Sequence, residues 1–399
     1  MNGGDVEKRE LQALTMNAFH LVTFAQEILF GSGSIGQLVG ATDRFGWQRL
    51  MICASPSLRR DGHIATLQTA LGSRLVATYD QVKAHVQDSQ LLEALALAAD
   101  QEIDAVIGIG GGSPIGMAKA VSFALEEQVK GRPARAAFPT EQPQIPVIAI
   151  PTTYAGSEMT SVYGVTYSND DPPRKITVRD PKITPKLVIY DPDLTLNLPP
   201  QVTASSGINA LAHCIEALYS IGRNPLATAA ARSAMEYIVK ALPACTADGS
   251  DRDARGEMLV GSHLAGLALS ATVMGLHHGL CHVLGGSANV PHGVANSIIL
   301  PHAMRLNLDV AGPQLAQVAR SMGFSADGEP DAAAARAAVD GVSQFIGQLG
   351  LPQRLRDAGV KEEALPWLAQ LALQSRAVQD NPKPLTSAAQ AEDLLRAAW

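Results

Sequence analysis

Short apolar segments alternate with helix-like segments in the first half of the chain, and this alternation restricts the fold more than any other feature. The strand-like segments are RLMICA (49–54), RLVATYD (74–80), DAVIGIG (104–110) and PVIAIPTTY (146–154). Apolar, β-branched strands that alternate with helices predict a parallel sheet covered by helices on both faces. Two further strand-like runs flank the turn-rich NDDPP, which predicts a β-hairpin over 161–180.

The second half of the chain has a different character. After LNLPP (196–200) the strand signals fade, and helical periodicity continues almost to Trp399. The double proline at Pro199 and Pro200 is a natural boundary. We therefore predict a flexible leader at 1–17, an α/β dinucleotide-binding domain at 18–197 and an all-helical domain at 198–399. A cleft between two domains is the default place for chemistry.

Composition narrows the classes of partner. The 399 residues carry a net charge of -7 and no basic block, which argues against nucleic acid and anionic membranes as partners. No apolar run approaches the length of a membrane span, and the first 16 residues lack the apolar core of a signal peptide. The four cysteines are widely spaced, which favours reduced thiols. Together these features predict a cytoplasmic protein.

A glycine turn connects one of the strands to the next helix. In DAVIGIGGGSPIGMAKAV, the backbone N–H groups of Gly110, Gly111 and Gly112 can approach a ligand closely because glycine has no Cβ. Ser113 is placed to cap the helix, with Pro114 at its first position. A helix N-terminus after such a turn predicts a phosphate site. The alternative is a tight turn without a ligand, since the segment matches neither G-x-G-x-x-G nor a P-loop.

Four of the ten histidines lie in HHGLCHVLGGSANVPHG, at 277, 278, 282 and 292. On a helix, His278 and His282 lie on one face, one turn apart, which is a spacing found among metal ligands. A metal site usually adds a carboxylate to its histidines. This stretch contains none, so any acid would have to come from another part of the chain.

Several segments, taken together, resemble the iron-containing (group III) alcohol dehydrogenase family. They are GGGSPIGMAKA, PTTYAGSEMT, SSGINALAHCIEALYS, HHGLCHVLGGSANVPHG and LPH at 300–302, in matching order over nearly the whole chain. The resemblance implies a dehydroquinate synthase-like fold, with a dinucleotide-binding α/β domain and an all-α domain. It also implies hydride transfer with NADH or NADPH, and a homodimer as the family habit.

The resemblance assigns residues to the cofactor. It implies that the pyrophosphate is held by Gly110, Gly111, Gly112 and Ser113, and that the cofactor channel is lined by Thr152, Thr153 and Tyr154. NAD-selective members of the family commonly have an aspartate where this chain has Ser55. A carboxylate there accepts hydrogen bonds from the ribose 2′-hydroxyl and repels a 2′-phosphate. Since Ser55 repels neither cofactor, and Arg59 and Arg60 follow it, we expect both cofactors to be used.

The family's metal site consists of one aspartate and three histidines. The matching positions here are Asn209, His213, His278 and His292. Asparagine offers a neutral oxygen and no charge, so we predict that a metal is not required, although three imidazoles alone can hold zinc. Gly116 stands where the family commonly has a second aspartate. Both departures resemble the maleylacetate reductase branch of the family, which reduces maleylacetate to 3-oxoadipate in the breakdown of aromatic compounds.

The chemistry of that branch is compatible with a site that lacks a metal. Hydride addition to the C=C bond of an enone leaves an enolate, which is less basic than an alkoxide and can be stabilised by imidazole. The catalytic candidates are therefore His213, His278, His282 and His292, acting on a small dicarboxylic enone. Two alternatives stay open: a metal-dependent alcohol dehydrogenase, which the segment PHGVANSIILPH resembles, and a nucleotide-binding protein without catalysis.

Overall fold

A parallel sheet forms the first half of the molecule. A computed structural model of the chain describes Phe19 and residues 21–84, 86–128, 131, 133–167 and 174–399. The strands among these residues are β1 (Glu27–Phe30), β2 (Leu50–Ala54), β3 (Leu75–Tyr79), β4 (Ala105–Gly110), β5 (Val147–Pro151), β6 (Val162–Tyr167), β7 (Arg174–Arg179) and β8 (Leu187–Tyr190). Six of them pair in parallel in the order β1-β8-β5-β4-β2-β3, while β6 and β7 form a separate antiparallel hairpin.

The central strands are buried along their whole length, as expected when helices cover both faces of a sheet. Since the six strands run parallel, their carboxyl ends meet at one edge. Ala54 pairs with Ile109, and Gly110 pairs with Pro151. The turns that follow β2, β4 and β5 are therefore neighbours, and ligands of such sheets bind outside this edge.

Helices cover the sheet and form the rest of the molecule. Within the described residues they are α1 (Leu38–Phe45), α2 (Pro56–Arg60), α3 (His63–Leu71), α4 (Asp88–Ala98), α5 (Gly112–Gln128), α6 (Pro200–Tyr219), α7 (Pro225–Ala247), α8 (Arg252–Ser270), α9 (Leu276–Ser287), α10 (His292–Leu306), α11 (Gly312–Ser321), α12 (Asp331–Gln348), α13 (Leu365–Gln374), α14 (Arg376–Gln379) and α15 (Ala388–Ala397).

The fold class predicted from the sequence is confirmed: a parallel-sheet α/β part precedes a helical part, and no described residue after Tyr190 lies in a strand. The helical part begins at Pro200, with Pro199 as the residue before the first turn. Helix α6 is its central element, because nearly all of its residues are buried among the surrounding helices. No helix in the described part of the chain has the length and apolar composition needed to cross a lipid bilayer.

Some local expectations differ from the structure or lie outside it. The segment 57–72, SLRRDGHIATLQTALG, reads as a single helix in the sequence. The structure has two helices there, α2 and α3, because Gly62 between them has a φ of 82°, which an α-helix does not continue. Helix α5 begins at Gly112, so Ser113 lies inside the first turn and is not the N-cap. The predicted leader at 1–17 and the NDDPP turn of the hairpin fall outside the described residues.

Candidate active site

The glycine turn after β4 is shaped by close contacts that exclude side chains. Gly110 has a φ of 133°, and a Cβ on it would lie 2.9 Å from Cγ of Pro114. Its carbonyl accepts a hydrogen bond from the backbone N–H of Thr152 at 2.9 Å. A Cβ on Gly111 would lie 3.2 Å from Oγ1 of Thr153. The turn predicted to hold the pyrophosphate is thus packed directly against the segment that follows β5.

The three residues predicted to line the cofactor channel differ in exposure. Thr152 is buried and Thr153 is half-buried beside the glycine turn. Tyr154 has no exposed surface, and its hydroxyl accepts a hydrogen bond from Nη1 of Arg255 at 3.1 Å. Tyr154 therefore belongs to the core between the two halves of the molecule and not to the wall of an open channel.

Ser55 lies at the same edge of the sheet, where it precedes α2 as its N-cap residue. Its Oγ lies 2.8 Å from Oγ of Ser57. Arg59, one of two arginines considered for a 2′-phosphate, forms an ion pair with Asp80, which follows β3. Arg60 is exposed. The adenosine end of the predicted site thus contains a carboxylate from the neighbouring strand, with Arg59 as its partner.

The segment after Tyr154 connects this edge to the histidines. Nδ2 of Asn209 donates to the carbonyl of Ala155 at 3.3 Å. Gly156, with a φ of 73°, lies so close to α6 that a Cβ on it would be 3.7 Å from Nδ1 of His213. A cofactor that extends from the glycine turn along this segment would reach the histidines.

The structure brings together the four histidines that the sequence singled out as catalytic. His213 comes from the middle of α6, His278 and His282 from α9, and His292 from the first residue of α10. The rings of His213 and His278 stack with centroids 4.7 Å apart, and those of His282 and His292 stack at 5.6 Å. The His278 and His292 centroids are 6.1 Å apart. We call these four rings the histidine cluster.

A buried acid lies behind the cluster, and the sequence reasoning missed it. Glu216 follows Asn209 by seven residues and His213 by three, so all three lie on one stripe of α6. Its Oε1 accepts the backbone N–H of His277 at 3.0 Å, and its Oε2 accepts that of His278 at 3.3 Å. Oε2 also lies 2.5 Å from Nδ1 of His278. The helical spacing in NALAHCIE could have revealed this residue.

Burial determines the charges of these groups. Burial alone would raise the pKa of Glu216, but the hydrogen bonds from His277 and His278 hold it well below its usual value. Burial and the adjacent imidazoles lower the pKa of His213 well below its usual value, and burial also lowers the pKa of His278. Glu216 is therefore a carboxylate, while these two cluster rings are neutral.

The residues predicted as metal ligands have buried atoms that are available to bind an ion. Three of their buried atoms have no hydrogen-bond partner among the described residues: Oδ1 of Asn209, Nδ1 of His213 and Nε2 of His278. The set contains no negative charge, so an ion there would be held by neutral ligands alone.

A second group of possible ligands does not form a metal site. Among the described residues, only Glu216, His277 and His278 bring three histidine, cysteine or carboxylate ligand atoms within 4.8 Å of one another. Ligand atoms around a tetrahedral zinc ion would be about 3.3 Å apart, given bonds of about 2.0–2.1 Å. The 2.5 Å contact between Glu216 and His278 is too short for that and is a hydrogen bond.

Other histidines have structural partners. His277 is fully buried, and its Nε2 lies 3.3 Å from the carbonyl of Asn296. His263 packs edge-on against Tyr190, with ring centroids 5.5 Å apart. His20 and His85 fall outside the described residues.

Comparison with known proteins covers both halves of the chain. A family profile described as iron-containing alcohol dehydrogenase matches residues 25–192, and the C-terminal profile of the Fe-containing alcohol dehydrogenase family matches residues 203–399. The chain is 36% identical over 370 residues to the maleylacetate reductase of Burkholderia cepacia, which covers 93% of this chain and 95% of the relative.

Two further relatives are similar over a comparable length. The lactaldehyde reductase of Escherichia coli is 35% identical over 362 residues, which are 90% of this chain and 94% of the relative. The crystal structure of maleylacetate reductase from Agrobacterium tumefaciens is 31% identical and superposes with a TM-score of 0.81, over 96% of this chain and 99% of that one. The similarity therefore extends over nearly the whole length of each protein.

Proposed function

This chain belongs to the iron-containing alcohol dehydrogenase family of oxidoreductases, and from that membership we propose that it reduces the C=C bond of maleylacetate with NADH or NADPH. The product is 3-oxoadipate. The observation that carries the proposal is the histidine cluster beside Asn209, in which His213 and His278 are buried, His292 is half-buried and His282 is exposed; it contributes four imidazoles and no carboxylate of its own. The similarity to maleylacetate reductases over 90% or more of the chain supports it.

The reaction matches what such a cluster can do. Hydride from the nicotinamide adds to the alkene carbon β to the ketone, and the electron pair of the C=C bond moves into an enolate. A proton then adds to the α carbon, so one hydride and one proton are consumed for each enone. An imidazole that donates a hydrogen bond or a proton can stabilise the enolate. We propose that no metal ion is required, because Asn209 supplies no charge to hold one.

The experiment measures oxidation of the reduced nicotinamide by its absorbance, with maleylacetate as substrate. We expect turnover with NADH and with NADPH, and most of it should persist after treatment with a chelator. Loss of activity that Fe²⁺ or Zn²⁺ restores would reject the metal-independent reaction. Absence of any turnover with maleylacetate would reject the substrate.

A second candidate is a metal-dependent alcohol dehydrogenase that acts on an alcohol or aldehyde. The buried atoms without partners on Asn209, His213 and His278 favour it, and the lactaldehyde reductase relative is similar over a comparable length. In that case these residues and His292 would hold an ion that acts as a Lewis acid at the substrate oxygen. Metal content after purification, compared with activity on aldehydes, separates the two candidates.

We also propose an oligomeric state, a binding partner and a cellular location for the enzyme. We expect a homodimer, which light scattering on the purified protein would test. The partner is a small dicarboxylic enone, with neither nucleic acid nor membrane involved, in line with the net charge of -7. A cytoplasmic location belongs to the same proposal and is tested by fractionation of cells.

A further inference from the structure

Glu216 accepts hydrogen bonds from three N–H groups at the start of α9. Both of its oxygens are occupied by backbone donors, Oε1 by His277 and Oε2 by His278. The same Oε2 is the partner of the His278 ring at 2.5 Å. A carboxylate at a helix N-terminus is favoured by the unpaired N–H groups and by the helix dipole. Glu216 thus connects α6 to α9 at the cluster.

The positions of the ring protons follow from these acceptors. Since each oxygen of Glu216 accepts from a backbone N–H, the proton in the contact with His278 belongs to Nδ1 of that ring. Nε2 of His277 lies 3.3 Å from the carbonyl oxygen of Asn296, which can only accept, so His277 carries its proton on Nε2. Nδ1 of His277, 3.2 Å from Nδ1 of His278, is then a second acceptor for the same N–H. This assignment gives each of these nitrogens a partner. Burial lowers the pKa of His277, but Cys281 and Glu216 raise it to about 10, and a second proton on its Nδ1 would still leave Nδ1 of His278 as the donor to Glu216.

We propose that Glu216 is a positioning residue that holds His278 in the tautomer protonated at Nδ1. The buried Nε2 of His278, which has no partner among the described residues, is then a hydrogen-bond acceptor. A carboxylate behind a histidine fixes both the tautomer and the orientation of the ring in this way.

The tautomer of His278 distinguishes the role of this ring from that of the proton donor. Its meaning for catalysis rests on the proposed function, in which an enolate must receive a proton. A neutral ring that offers a lone pair at Nε2 does not donate to an enolate or to a substrate carboxylate. The proton therefore comes from another ring of the cluster, of which His282 and His292 are less buried than His213, and Nε2 of His278 binds a hydrogen-bond donor or a divalent ion.

Only glutamate satisfies all three donors at this position. Glutamine has one accepting oxygen, so its NH₂ group would face an N–H group of either His277 or His278. Aspartate is one methylene shorter, and its oxygens would not reach both helix N–H groups. Glu216→Gln keeps the volume and removes one acceptor, which makes it the sharper variant.

The test is a two-bond ¹H–¹⁵N correlation spectrum of the full chain labelled with ¹⁵N-histidine, recorded without substrate. His278→Asn identifies the signals of that ring by removing them. We expect protonated Nδ1 and unprotonated Nε2 for His278 in the parent protein, and a changed or averaged pattern in Glu216→Gln. A parent ring protonated at Nε2 would overturn the proposal, as would a pattern that Glu216→Gln leaves unchanged.

Kinetics supply a second readout. Glu216→Gln should lower kcat roughly 10- to 100-fold, the range for residues that orient a functional histidine, with KM for NADPH nearly unchanged. Retained binding of NADPH shows that the variant has folded, and the parent spectrum tests the tautomer even if it has not. Glu257→Gln, a half-buried acid paired with Lys240, is the matched control and should change neither readout. Because the spectrum needs no substrate, failure of the maleylacetate assignment leaves this test intact.

Discussion

At the scale of single residues, Asn209 determines the charge that the histidine cluster offers to a ligand. It is buried, its amide nitrogen is used by Ala155, and its Oδ1 has no partner among the described residues. The acid nearest to it along α6, Glu216, has both oxygens occupied by α9. Any negative charge aimed at an ion would therefore have to be introduced at position 209.

Asn209→Asp supplies that charge. We expect it to raise affinity for Zn²⁺ by at least about tenfold, since a carboxylate adds a full charge at bonding distance. It should also slow enone reduction, because the new charge repels a dianionic substrate. Metal content by mass spectrometry and turnover of maleylacetate measure the two effects. Asn197→Asp, at an exposed position, is the control, and equal metal content in both variants would refute the ligand assignment.

His282 and His292 are the candidates for the proton donor. Replacing the donor by Ala should lower kcat by roughly 10²–10⁴, the usual contribution of general acid–base catalysis. Gln at the same position should not restore a residue that transfers a proton, whereas it would partly restore one that only donates a hydrogen bond. His63→Ala, on α3, serves as the control. If both cluster variants keep parental turnover, the reaction takes place elsewhere.

The sequence predicted the convergence of the histidines but not their support. Spacing along one helix indicated His278 and His282, and family resemblance supplied His213 and His292. Glu216 lies on the same helical stripe as Asn209 and His213, but its role depends on the start of α9, about 60 positions later in the chain, which no pattern within α6 reveals. The burial of Tyr154 was not foreseen for the same reason, since its partner Arg255 is about 100 positions away.

At the scale of elements, we propose that the junction of β2 and α2 determines the choice of cofactor. We expect the parent enzyme to use NADH and NADPH with at most a modest preference. Ser55→Asp should reduce kcat/KM for NADPH far more than for NADH, because a carboxylate there repels a 2′-phosphate and accepts from a 2′-hydroxyl. Ser57→Asp, two residues further on, is the comparison variant. Unchanged selectivity in Ser55→Asp would show that this residue does not lie at the adenine ribose.

The glycine turn makes a second prediction at this scale. Gly110→Ala should destabilise the protein by about 1–3 kcal/mol and weaken NADPH binding, since an alanine is strained at a φ of 133° and would press on Pro114. Gly40→Ala, in α1 with nothing near its Cβ position, should instead stabilise by about 0.5–1 kcal/mol. Denaturant unfolding and cofactor fluorescence measure both. Equal stability in the two variants would contradict this account of the turn.

Most elements were predictable because their patterns are local. The buried strands β2, β4 and β5 follow from runs of apolar, β-branched residues. Strand β1 was not predicted, because it has only four residues and their exposure alternates. It is held in the sheet by pairing with β8, some 160 positions away. The break at Gly62 was hidden because glycine is also tolerated inside helical patterns.

At the scale of the whole molecule, Arg255 joins the two halves. It is fully buried on α8, and its Nη1 donates to Tyr154 after β5 and to Oγ1 of Thr203 on α6, at 3.1 and 2.9 Å. Because these bonds cross between the sheet and the helices, we expect the chain to unfold in one cooperative transition. Circular dichroism and cofactor fluorescence should give coincident curves, and two separate transitions would contradict this.

Arg255→Met tests that connection directly. It should lower the free energy of unfolding by on the order of 3 kcal/mol, because two buried hydroxyl groups lose a charged hydrogen-bond partner. Arg252→Met removes an exposed arginine from the same helix, where it pairs with Asp193, and should cost less than about 1 kcal/mol. Urea denaturation compares the two variants, and equal losses would mean that Arg255 is not a link between the halves.

The order in which the residues of the site occur along the chain determines when each part of the site is synthesised. The turns at Ser55, Gly110 and Thr152 leave the ribosome first, and His292 follows about 140 positions after Thr152. At a synthesis rate of roughly 5–20 residues per second, roughly 7 to 28 s pass between the synthesis of Thr152 and that of His292. During that interval a nascent chain carries the edge that we propose binds the cofactor, without all of the histidines that we propose act on the substrate.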